Sequence, residues 1–554
     1  MSPIRKLTRL ICRSETSGRK TINSANCHAL PADELGFVLE YPKAPDFDAA
    51  RRQLAMVLDT LDFMLEPLFP LSADELSHFA VLRFPGVSAG RASDALFAIA
   101  YELGEKIDLV SCEPCIGEHI MAVPEPENAD ERRQGVSNSN DLDAIKRELR
   151  LDKRWALANT RVFEAWRLAP DLGKDILIAQ PDTGVARHHE IASNSLRLDL
   201  AADIIGGVDD PTDPLDPDTA APGHGSGTAS VVVGRRTGEI SGAAPGAKLV
   251  PIRCIEDVTV VNPTPVARAV NHARMSGCHI VSMSLGGLGS VALHNAVKKA
   301  VDADLIVIAA AGNCIGLTVY PARYPEVIAV AGTDINDGGW QGTSVGRAVD
   351  VSAPAEMVWR AKHDMSTGGR PIVAEGEGTS YSAALTAGIA ALWLSRHGRD
   401  NLIAEARARN TSLQELFRAA VRHTARVPVG WNSSRLGSGI IDAEALLRLN
   451  PADIPLTTEV AHRSRSSLSE VQRLVFETTR KKPESVNFDW PRYQAEIANL
   501  ALRLAHIRAR GHVQIARGPR RRFAVSECLR KAVDASGDAA LRDLTANFEA
   551  GLTE

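Results

Sequence analysis

The chain has 554 residues, which exceeds the size of one typical domain and predicts two or three domains. Its 44% hydrophobic and 24% charged residues are typical of a soluble globular protein. The formal net charge of -5 argues against a main role on nucleic acid or on a membrane surface, because both roles need a basic excess.

Residues 1–35 are interpreted as an N-terminal tail. They carry basic residues but no apolar run of signal-peptide length, and no stretch of the chain reaches the roughly 18 apolar residues of a membrane span. The eight cysteines are dispersed, as is typical of reduced thiols, and Cys112 and Cys115 lack the second pair that a zinc site needs. These features predict a cytoplasmic protein without a metal centre, with a structural role for the two cysteines favoured over a metal half-site.

Residues 36–116 alternate strand and helix patterns. The predicted elements are strands at 36–41, 78–84 and 107–112 and helices at 46–64 and 92–103. This order indicates a small α+β domain. Residues 117–150 then turn polar, with prolines and a Ser-Asn repeat, and we interpret them as an exposed linker of the kind where proteolysis concentrates.

Residues 151–450 have the pattern of a parallel α/β domain. Strands that are buried on both faces of a sheet give short continuous apolar runs. Such runs lie at 176–179, 249–250, 280–283, 305–309 and 327–330. A helix between two of them is predicted to begin at Thr264-Pro265 and to end before Gly277. In such folds ligand chemistry gathers beyond the carboxyl ends of the strands, so polar residues at these ends are candidates for a site.

Three of these strand ends carry polar residues, and two further candidates lie in glycine-rich turns. Asp182 follows the first run, Ser284 to Gly287 follow the third, and Asn313 follows the fourth. His224 lies in a glycine-rich turn, and Ser380 lies between a glycine-rich turn and a run of small residues that predicts a helix ending near residue 398.

Each position also has a structural interpretation when it is taken alone. Asp182 can belong to a simple turn, His224 can be an exposed side chain, and Ser380 can be only the N-cap of a buried helix. Together they offer an acid, a base, a hydroxyl and an amide donor at one edge of one sheet, which are the groups that nucleophilic acyl transfer requires.

At these motifs the chain resembles the subtilisin-like serine peptidases. The order Asp, His, Ser is that family's order, with Asp182 in Asp-Thr-Gly, His224 in His-Gly and Ser380 in Gly-Thr-Ser. Further stretches similar to that family's landmarks lie at 242–249, 283–287, 310–313, 320–325 and 351–354. The resemblance covers about 300 residues and implies a subtilisin-like parallel sheet flanked by helices.

The resemblance implies a role for each catalytic residue. Ser380 would attack the scissile carbonyl, His224 would take and return the proton, and Asp182 would orient the imidazole. Asn313 would stabilise the oxyanion with its side-chain amide, together with the Ser380 backbone N–H. The implied substrate-binding residues are Ser284, Leu285, Gly286, Gly287, Ala310, Ala311, Gly312 and Val319. Residues 284–286 would pair with the substrate as an added strand, and Val319 would shorten the pocket for its side chain.

Residues 36–116 resemble the propeptides of this family. We therefore expect a pro-like domain that the enzyme itself cuts away in the linker; the alternative is a permanently attached accessory domain. No cofactor is expected to be required. Related enzymes often hold calcium, and the loop 209–218 is rich in carboxylates, but it has no recognisable ligand spacing, so a solvated acidic loop is favoured over a cation site.

The resemblance ends near residue 450, and residues 451–554 are predicted to form a helical C-terminal extension. Helices are predicted over 467–479, 493–508 and 525–548. Arginines between 508 and 522 form a basic cluster, for which a solvated helix face or a protein-docking site is favoured over nucleic-acid contact.

The predicted function is that of a serine endopeptidase acting on protein or peptide substrates, with no membrane or nucleic-acid partner. One alternative is a partner-regulated intracellular protease controlled by residues 451–554. A third reading, an inactive protease fold that only binds, is disfavoured because all four catalytic groups are present.

Overall fold

The computed structural model describes residues 3–5, 7, 11, 34–88, 95–116, 152–207, 210–456, 469–484, 487–510 and 524–551. The predicted linker 117–150, most of the tail 1–35 and most of the basic cluster between 508 and 522 lie outside the described residues. No helix among the described residues combines the length and apolarity needed to cross a bilayer.

Between residues 34 and 116, the described part of the N-terminal domain is a four-stranded antiparallel sheet packed with two α-helices. Its elements are β1 (Glu34–Glu40), α1 (Phe47–Leu58), β2 (Met64–Pro67), β3 (Phe79–Ser88), α2 (Leu96–Ile107) and β4 (Ser111–Cys115). The strand order is β2-β3-β1-β4, and the central pair β1 and β3 places Phe37 opposite Leu82. The predicted α+β pattern of this region is confirmed.

Several element boundaries of this domain differ from the prediction, and strand β2 was not predicted; the helix predicted at 92–103, for example, is Leu96–Ile107. The helix predicted at 46–64 ends at Leu58, because Asp59 adopts a left-handed conformation with φ 53° and the chain then enters β2. The strand predicted at 107–112 begins only at Ser111. Ile107 is buried as the last residue of α2, so its apolar side chain belongs to a helix face and not to a strand.

The second domain is built on a seven-stranded parallel sheet. Its strands are β5 (Leu177–Asp182), β6 (Ala202–Asp203), β7 (Lys248–Arg253), β9 (Ile280–Met283), β11 (Ile306–Ala310), β12 (Ile328–Thr333) and β13 (Val349–Pro354), and the short pair β8 (Thr259–Val260) and β10 (Gly286–Gly287) lies apart. The order across the sheet is β13-β12-β11-β9-β5-β7-β6. All five predicted strands are present, whereas β6, β13 and a hairpin of β14 (Val358–Asp364) and β15 (Arg370–Gly376) were not predicted.

Helices cover both faces of this sheet. The helices of the domain are α3 (Trp155–Asn159), α4 (Val162–Leu168), α5 (His224–Val233), α6 (Thr264–Met275), α7 (Val291–Asp302), α8 (Thr379–His397), α9 (Arg399–Ala408), α10 (Leu413–Thr424), α11 (Ser433–Leu436) and α12 (Ala443–Arg448). Successive strand residues face opposite sides: Ile280 packs with α5 and α8, while Val281 packs with α6 and α7. Both faces are therefore apolar, which explains the continuous apolar runs in the sequence.

Helix α8 runs through the core behind Ser380, as its small residues predict. It ends at His397 with Gly398 as its cap, so the predicted end is confirmed. At Gly388 a Cβ would lie 2.6 Å from the Cβ of Ala243, and only glycine permits this close approach. The small residues thus let α8 lie directly against the chain that leads into β7.

The described part of the C-terminal extension contains four α-helices. They are α13 (Glu470–Thr479), α14 (Trp490–Arg510), α15 (Glu527–Ser536) and α16 (Ala539–Gly551). The helix predicted at 525–548 is in fact two helices, because Gly537 ends α15 in a left-handed conformation with φ 70°. The prediction of a helical extension is confirmed.

The N-terminal domain docks on helices α6 and α7. Arg268 of α6 donates to the Leu68 carbonyl oxygen at 3.0 Å, and Arg274 forms an ion pair with Asp74 at 3.1 Å. At the start of α7, the Val291 N–H donates to the Glu113 carboxylate at 3.0 Å. Because Glu113 is buried on β4, this contact places a carboxyl group inside the interface between the two domains.

We expect the docking of the N-terminal domain to weaken as the pH rises. Burial raises the pKa of Glu113 from 4.5 to about 7, with the nearby Glu40 carboxylate adding to the effect and the Val291 N–H opposing it. A pKa raised in the folded state gives stability that is present in full below about pH 4.5 and is lost as the pH rises through about 7. The loss is on the order of 3 kcal/mol.

Thermal unfolding of the full chain at pH 5 and pH 8 measures this effect. Glu113→Gln cannot ionise and should flatten the dependence of the melting temperature on pH. Glu75→Gln is the matched control, since Glu75 is an exposed carboxylate of the same interface, paired with Lys299. Equal pH dependence in Glu113→Gln and in the unmodified chain would contradict this assignment.

Candidate active site

The predicted catalytic residues come together at the carboxyl edge of the parallel sheet. Asp182 is the last residue of β5, and Asn313 follows β11 by three residues. His224 is the first residue of α5, and Ser380 is the second residue of α8. These positions follow from the parallel topology, which gathers strand ends and helix starts at one edge.

The Asp182 carboxylate orients the His224 ring. Asp182 Oδ1 lies 2.8 Å from His224 Nδ1, and Asp182 is 1% exposed. The same carboxylate accepts the Thr183 N–H at 2.7 Å and the Thr228 hydroxyl at 3.1 Å. A carboxylate can only accept, so Nδ1 carries the proton in this pair and Nε2 of a neutral ring is left as the basic nitrogen.

Ser380 is buried at the N-terminal end of α8. Its hydroxyl donates to the Ser284 carbonyl oxygen at 3.1 Å, and the Ser284 hydroxyl donates back to the Ser380 carbonyl oxygen at 2.8 Å. Within the described residues no hydrogen bond joins Ser380 to His224. Hydrogen bonds between a nucleophile and its base are often long in sites without substrate and tighten in the complex.

The Asn313 amide is held with a fixed orientation. Its Oδ1 accepts the Thr379 N–H at 3.0 Å and the Thr379 hydroxyl at 2.8 Å. The Thr379 hydroxyl in turn accepts the Gly312 N–H at 3.2 Å. Because Oδ1 faces Thr379, the Nδ2 donor is directed away from it, and a Cβ on Gly378 would lie 3.2 Å from that nitrogen. The amide donor and the first turn of α8 therefore lie side by side.

Val319 fills the space between two predicted pocket walls. A Cβ on Gly286 would lie 2.4 Å from Val319 Cγ2, and a Cβ on Gly312 would lie 2.8 Å from the same methyl group. Val319 is itself buried, and its N–H donates to the Ala311 carbonyl oxygen at 3.0 Å. The side chain thus contacts both glycine walls, and no residue larger than glycine fits at either wall.

The segment predicted to pair with substrate is itself paired within the chain. The Gly286 N–H donates to the Val258 carbonyl oxygen at 3.0 Å, and Gly287 exchanges hydrogen bonds with Tyr320. Leu285 is buried, and Ala310 and Ala311 lie in and after β11. The predicted residues therefore lie on two adjacent segments that follow β9 and β11.

Several residues that support the site were not identified from the sequence. The Thr183 hydroxyl donates to Asp213 at 2.6 Å and accepts the Gly225 N–H at 3.0 Å. Asp213 also accepts the Gly223 N–H at 2.9 Å and the Leu215 N–H at 2.8 Å. Burial raises the pKa of Asp213, and Asp182 adds to the effect. These bonds anchor the turn that precedes His224.

The acidic loop is therefore not simply solvated. Asp213 is buried and fully engaged, while Asp210 and Asp216 accept the backbone N–H groups of Thr212 and Asp218. Asp209 lies outside the described residues. The sequence did contain a signal for these supporting residues. A buried carboxylate needs hydrogen-bond donors, and two threonines stand beside the motifs: Thr183 directly after Asp182 and Thr228 one turn after His224.

Another cluster of side chains that carry metal-ligand atoms lies elsewhere in the described part of the chain. Ligand atoms of His189, Glu190 and Glu239 lie within 4.8 Å of one another. Glu239 forms an ion pair with Lys153, and Glu190 accepts the N–H groups of Glu239 and Ile240. Both carboxylates thus already have partners within the protein.

Comparison with known proteins agrees with this geometry. The model of the Peptidase S8 subtilase family matches residues 173–444. Thermitase from Thermoactinomyces vulgaris is 35% identical over 255 residues, which are 45% of this chain and 84% of thermitase. Subtilisin DY from Bacillus licheniformis is 32% identical over 235 residues, which are 41% of this chain and 78% of that protein.

Proposed function

The chain belongs to the subtilase family of serine peptidases, and from that premise we propose that it cuts peptide bonds with Ser380 as nucleophile, His224 as base and Asp182 as the orienting acid. The observation that supports these roles most directly is the 2.8 Å contact between Asp182 Oδ1 and His224 Nδ1. It leaves His224 Nε2 free to accept a proton.

In the first step the Ser380 Oγ attacks the substrate carbonyl carbon and its proton passes to His224 Nε2. The carbonyl oxygen becomes an oxyanion, which accepts hydrogen bonds from Asn313 Nδ2 and from the Ser380 N–H. The imidazolium then protonates the leaving amine, the carbon–nitrogen bond breaks, and an acyl group remains on Ser380.

In the second step a water molecule takes the place of the amine. His224 accepts its proton, the hydroxide attacks the acyl carbon, and the returned proton restores the Ser380 hydroxyl. Nucleophile, base and oxyanion donors all come from the chain, so the proposed mechanism requires no cofactor.

A fluorophosphonate probe tests the proposal directly. Such probes phosphonylate a serine only when a base activates it and an oxyanion site receives the phosphoryl oxygen. We expect one labelled peptide, carrying the probe on Ser380. An unlabelled chain that still binds peptides would favour the inactive protease-fold alternative.

We further propose that the N-terminal domain is an inhibitor that the enzyme cuts away from its own chain in the linker. The support is its position: it docks on α6 and α7, and its last described residue, Ile116, lines a small cavity with Leu288 and Gly289. Leu288 and Gly289 directly follow the predicted substrate-binding residues 284–287 in the chain. The linker, which begins after Ile116, therefore starts close to the predicted substrate-binding segment.

N-terminal sequencing of purified protein checks the proposed cut. In the unmodified chain we expect a new N-terminus between 116 and 150, whereas Ser380→Ala should stay intact under the same conditions. A fully active chain that keeps its original terminus would mean that residues 36–116 are a permanent accessory domain.

We expect Val319→Gly to change the preference for the substrate side chain next to the cut. The unmodified enzyme should prefer small or medium apolar side chains, because the Val319 methyl groups lie against Gly286 and Gly312. Removing them should raise kcat/KM for phenylalanine or tyrosine at that position by about 10- to 100-fold.

A peptide library read by mass spectrometry compares the two enzymes. Val345→Gly is a useful control, because Val345 is a neighbouring valine that packs in a separate small cluster with Ala311. If the unmodified enzyme already favours aromatic side chains, Val319 does not form the floor of the pocket.

A further inference from the structure

The four C-terminal helices α13 to α16, here called the clasp, contact both of the other domains. They share one hydrophobic core with the N-terminal domain and with helices α6 and α7. Apolar residues of all three parts are fully buried in it, among them Leu39 of β1, Leu293 of α7 and Leu500 of α14. The clasp is therefore an integral part of the folded chain.

A buried carboxylate joins the clasp to the N-terminal domain. Glu496 of α14 accepts the Tyr101 hydroxyl of α2 at 2.8 Å, and it also accepts the N–H and hydroxyl of Ser526 at 2.6 and 2.8 Å. Burial raises the pKa of both Glu496 and Tyr101. One buried group thus connects the N-terminal domain with two helices of the clasp.

Aromatic and ionic contacts surround this carboxylate. The rings of Tyr101 and Tyr493 meet edge to face with their centroids 5.0 Å apart. Arg492 pairs with Glu105 of α2 at 2.6 Å, and its guanidinium lies 5.5 Å from the centroid of the Tyr101 ring. The contact therefore combines apolar burial with a charge pair that can be reversed by mutation.

A second anchor joins the clasp to the peptidase domain. Arg323 is 3% exposed and forms ion pairs with Glu470 at 3.0 Å and Glu477 at 2.8 Å, both on one face of α13. Removing one partner of such a buried network is costly, because it leaves a charge without compensation. The backbone N–H of Arg323 also donates to the backbone carbonyl oxygen of Val319 at 2.9 Å. This anchor therefore lies one turn from Val319 in the predicted substrate pocket.

The three parts meet around one small cavity of about 20 Å³. Its lining includes Glu113 of β4, Thr264 and Ser290 at the starts of α6 and α7, and Asn499 of α14. The N-terminal domain is therefore held from two sides, by the peptidase helices and by α14.

From these contacts we propose that the clasp keeps the N-terminal domain bound after the linker has been cut. The clasp and the peptidase domain belong to the same polypeptide. The N-terminal domain therefore binds the clasp and helices α6 and α7 at the same time, and both sets of contacts contribute to its affinity. Cutting the linker removes only the covalent connection. The cleaved chain then stays a two-fragment assembly, and the N-terminal fragment leaves only when the clasp is displaced.

This inference rests on the proposed function only for the origin of the cut, so the test supplies the cut from outside. The Ser380→Ala full chain receives the recognition sequence of an unrelated site-specific protease within 117–150. After cleavage the sample is diluted to about 10 nM and followed by size-exclusion chromatography and native mass spectrometry. Ser380→Ala cannot cut itself, so retention is measured whether or not the chain is a protease.

We expect the N-terminal fragment to stay with the remainder of the chain. Arg492→Glu places two like charges against each other and should speed dissociation by about tenfold. Adding Glu105→Arg to that variant should restore slow dissociation. Lys481→Ala is the matched control, since it breaks an ion pair with Asp543 inside the clasp and should leave the rate unchanged.

Two results would overturn the proposal. One is loss of the fragment from the cleaved Ser380→Ala chain at this concentration. The other is an equal rate of fragment dissociation from three cleaved chains: Arg492→Glu, the double variant Arg492→Glu with Glu105→Arg, and Lys481→Ala. Equal rates would mean that α6 and α7 alone hold the N-terminal domain. Thermal unfolding of each uncut variant identifies any that fail to fold, and Glu470→Gln with Glu477→Gln then tests the second anchor in the same assay.

Discussion

Ser380→Ala should reduce peptide hydrolysis by about a million-fold in turnover, which is the size of the loss known for the nucleophile of subtilisin itself. In the proposed mechanism the hydroxyl is the attacking group, and alanine offers no replacement. The fold should survive, because the lost hydrogen bond to the Ser284 carbonyl oxygen at 3.1 Å is worth only about 1 kcal/mol. Hydrolysis of a fluorogenic peptide by freshly purified protein measures the effect.

Ser382→Ala is the matched control for this experiment. Ser382 lies two residues further along α8, and its hydroxyl donates to the carbonyl oxygens of Ala353 and Pro354. That variant should lose stability but keep activity within about tenfold. Activity of Ser380→Ala within tenfold of the unmodified chain would exclude Ser380 as the nucleophile.

Asn313→Ala should lower kcat by about 100- to 1,000-fold with little change in KM, the range known for the corresponding donor of subtilisin. In the proposed mechanism the side-chain amide acts on the oxyanion, whose charge develops only toward the transition state, so ground-state binding should be preserved. Steady-state kinetics on one peptide substrate separate the two constants.

Thr379→Val tests whether the orientation of the amide matters. It removes the hydroxyl that donates to Asn313 Oδ1 at 2.8 Å and leaves the Thr379 N–H as the second bond. We expect a loss of about tenfold in kcat, between the unmodified chain and Asn313→Ala. A loss in Asn313→Ala of only a few-fold, or one seen mainly in KM, would argue that another donor stabilises the oxyanion.

The buried strands could be predicted because both faces of the sheet are covered. Strand β9 was predicted to the residue at 280–283, since each of its side chains is apolar or small and buried. Strand β5 extends further than predicted, to Asp182, because Asp182 pairs with Arg253 across the ladder. Polar residues that end a buried strand look like loop residues when only hydrophobicity is read.

The hairpin of β14 and β15 could not be predicted in the same way. Its residues include Trp359, Arg360 and His363, which do not alternate cleanly between apolar and polar side chains. Its position depends on α5, where the Ala361 N–H donates to the Ser230 hydroxyl at 2.9 Å. That contact joins residues 131 positions apart, and no local pattern records it.

The residues of the candidate site also fall into two groups: those that local sequence predicts and those that depend on tertiary contacts. Asp182, His224, Asn313 and Ser380 were identified because each belongs to a short motif in a fixed order. Asp213 was predicted to lie in a solvated loop. It is in fact buried, and its hydrogen-bond donors, the Gly223 N–H and the Thr183 hydroxyl, are brought to it only when the chain folds. Partners of this kind depend on tertiary structure, and the residue type alone does not reveal them.

The order of the site along the chain has a consequence for protein synthesis. A ribosome makes the acid and the base well before the serine, and at about 5–20 residues per second it needs roughly 10–40 s to pass from Asp182 to Ser380. During that interval the emerging chain holds a histidine and an aspartate but no nucleophile. Ser380 lies on α8, which packs in one hydrophobic core with the sheet and α5, so the proposed peptide cleavage cannot begin before α8 has been made, and neighbouring nascent chains are spared until then.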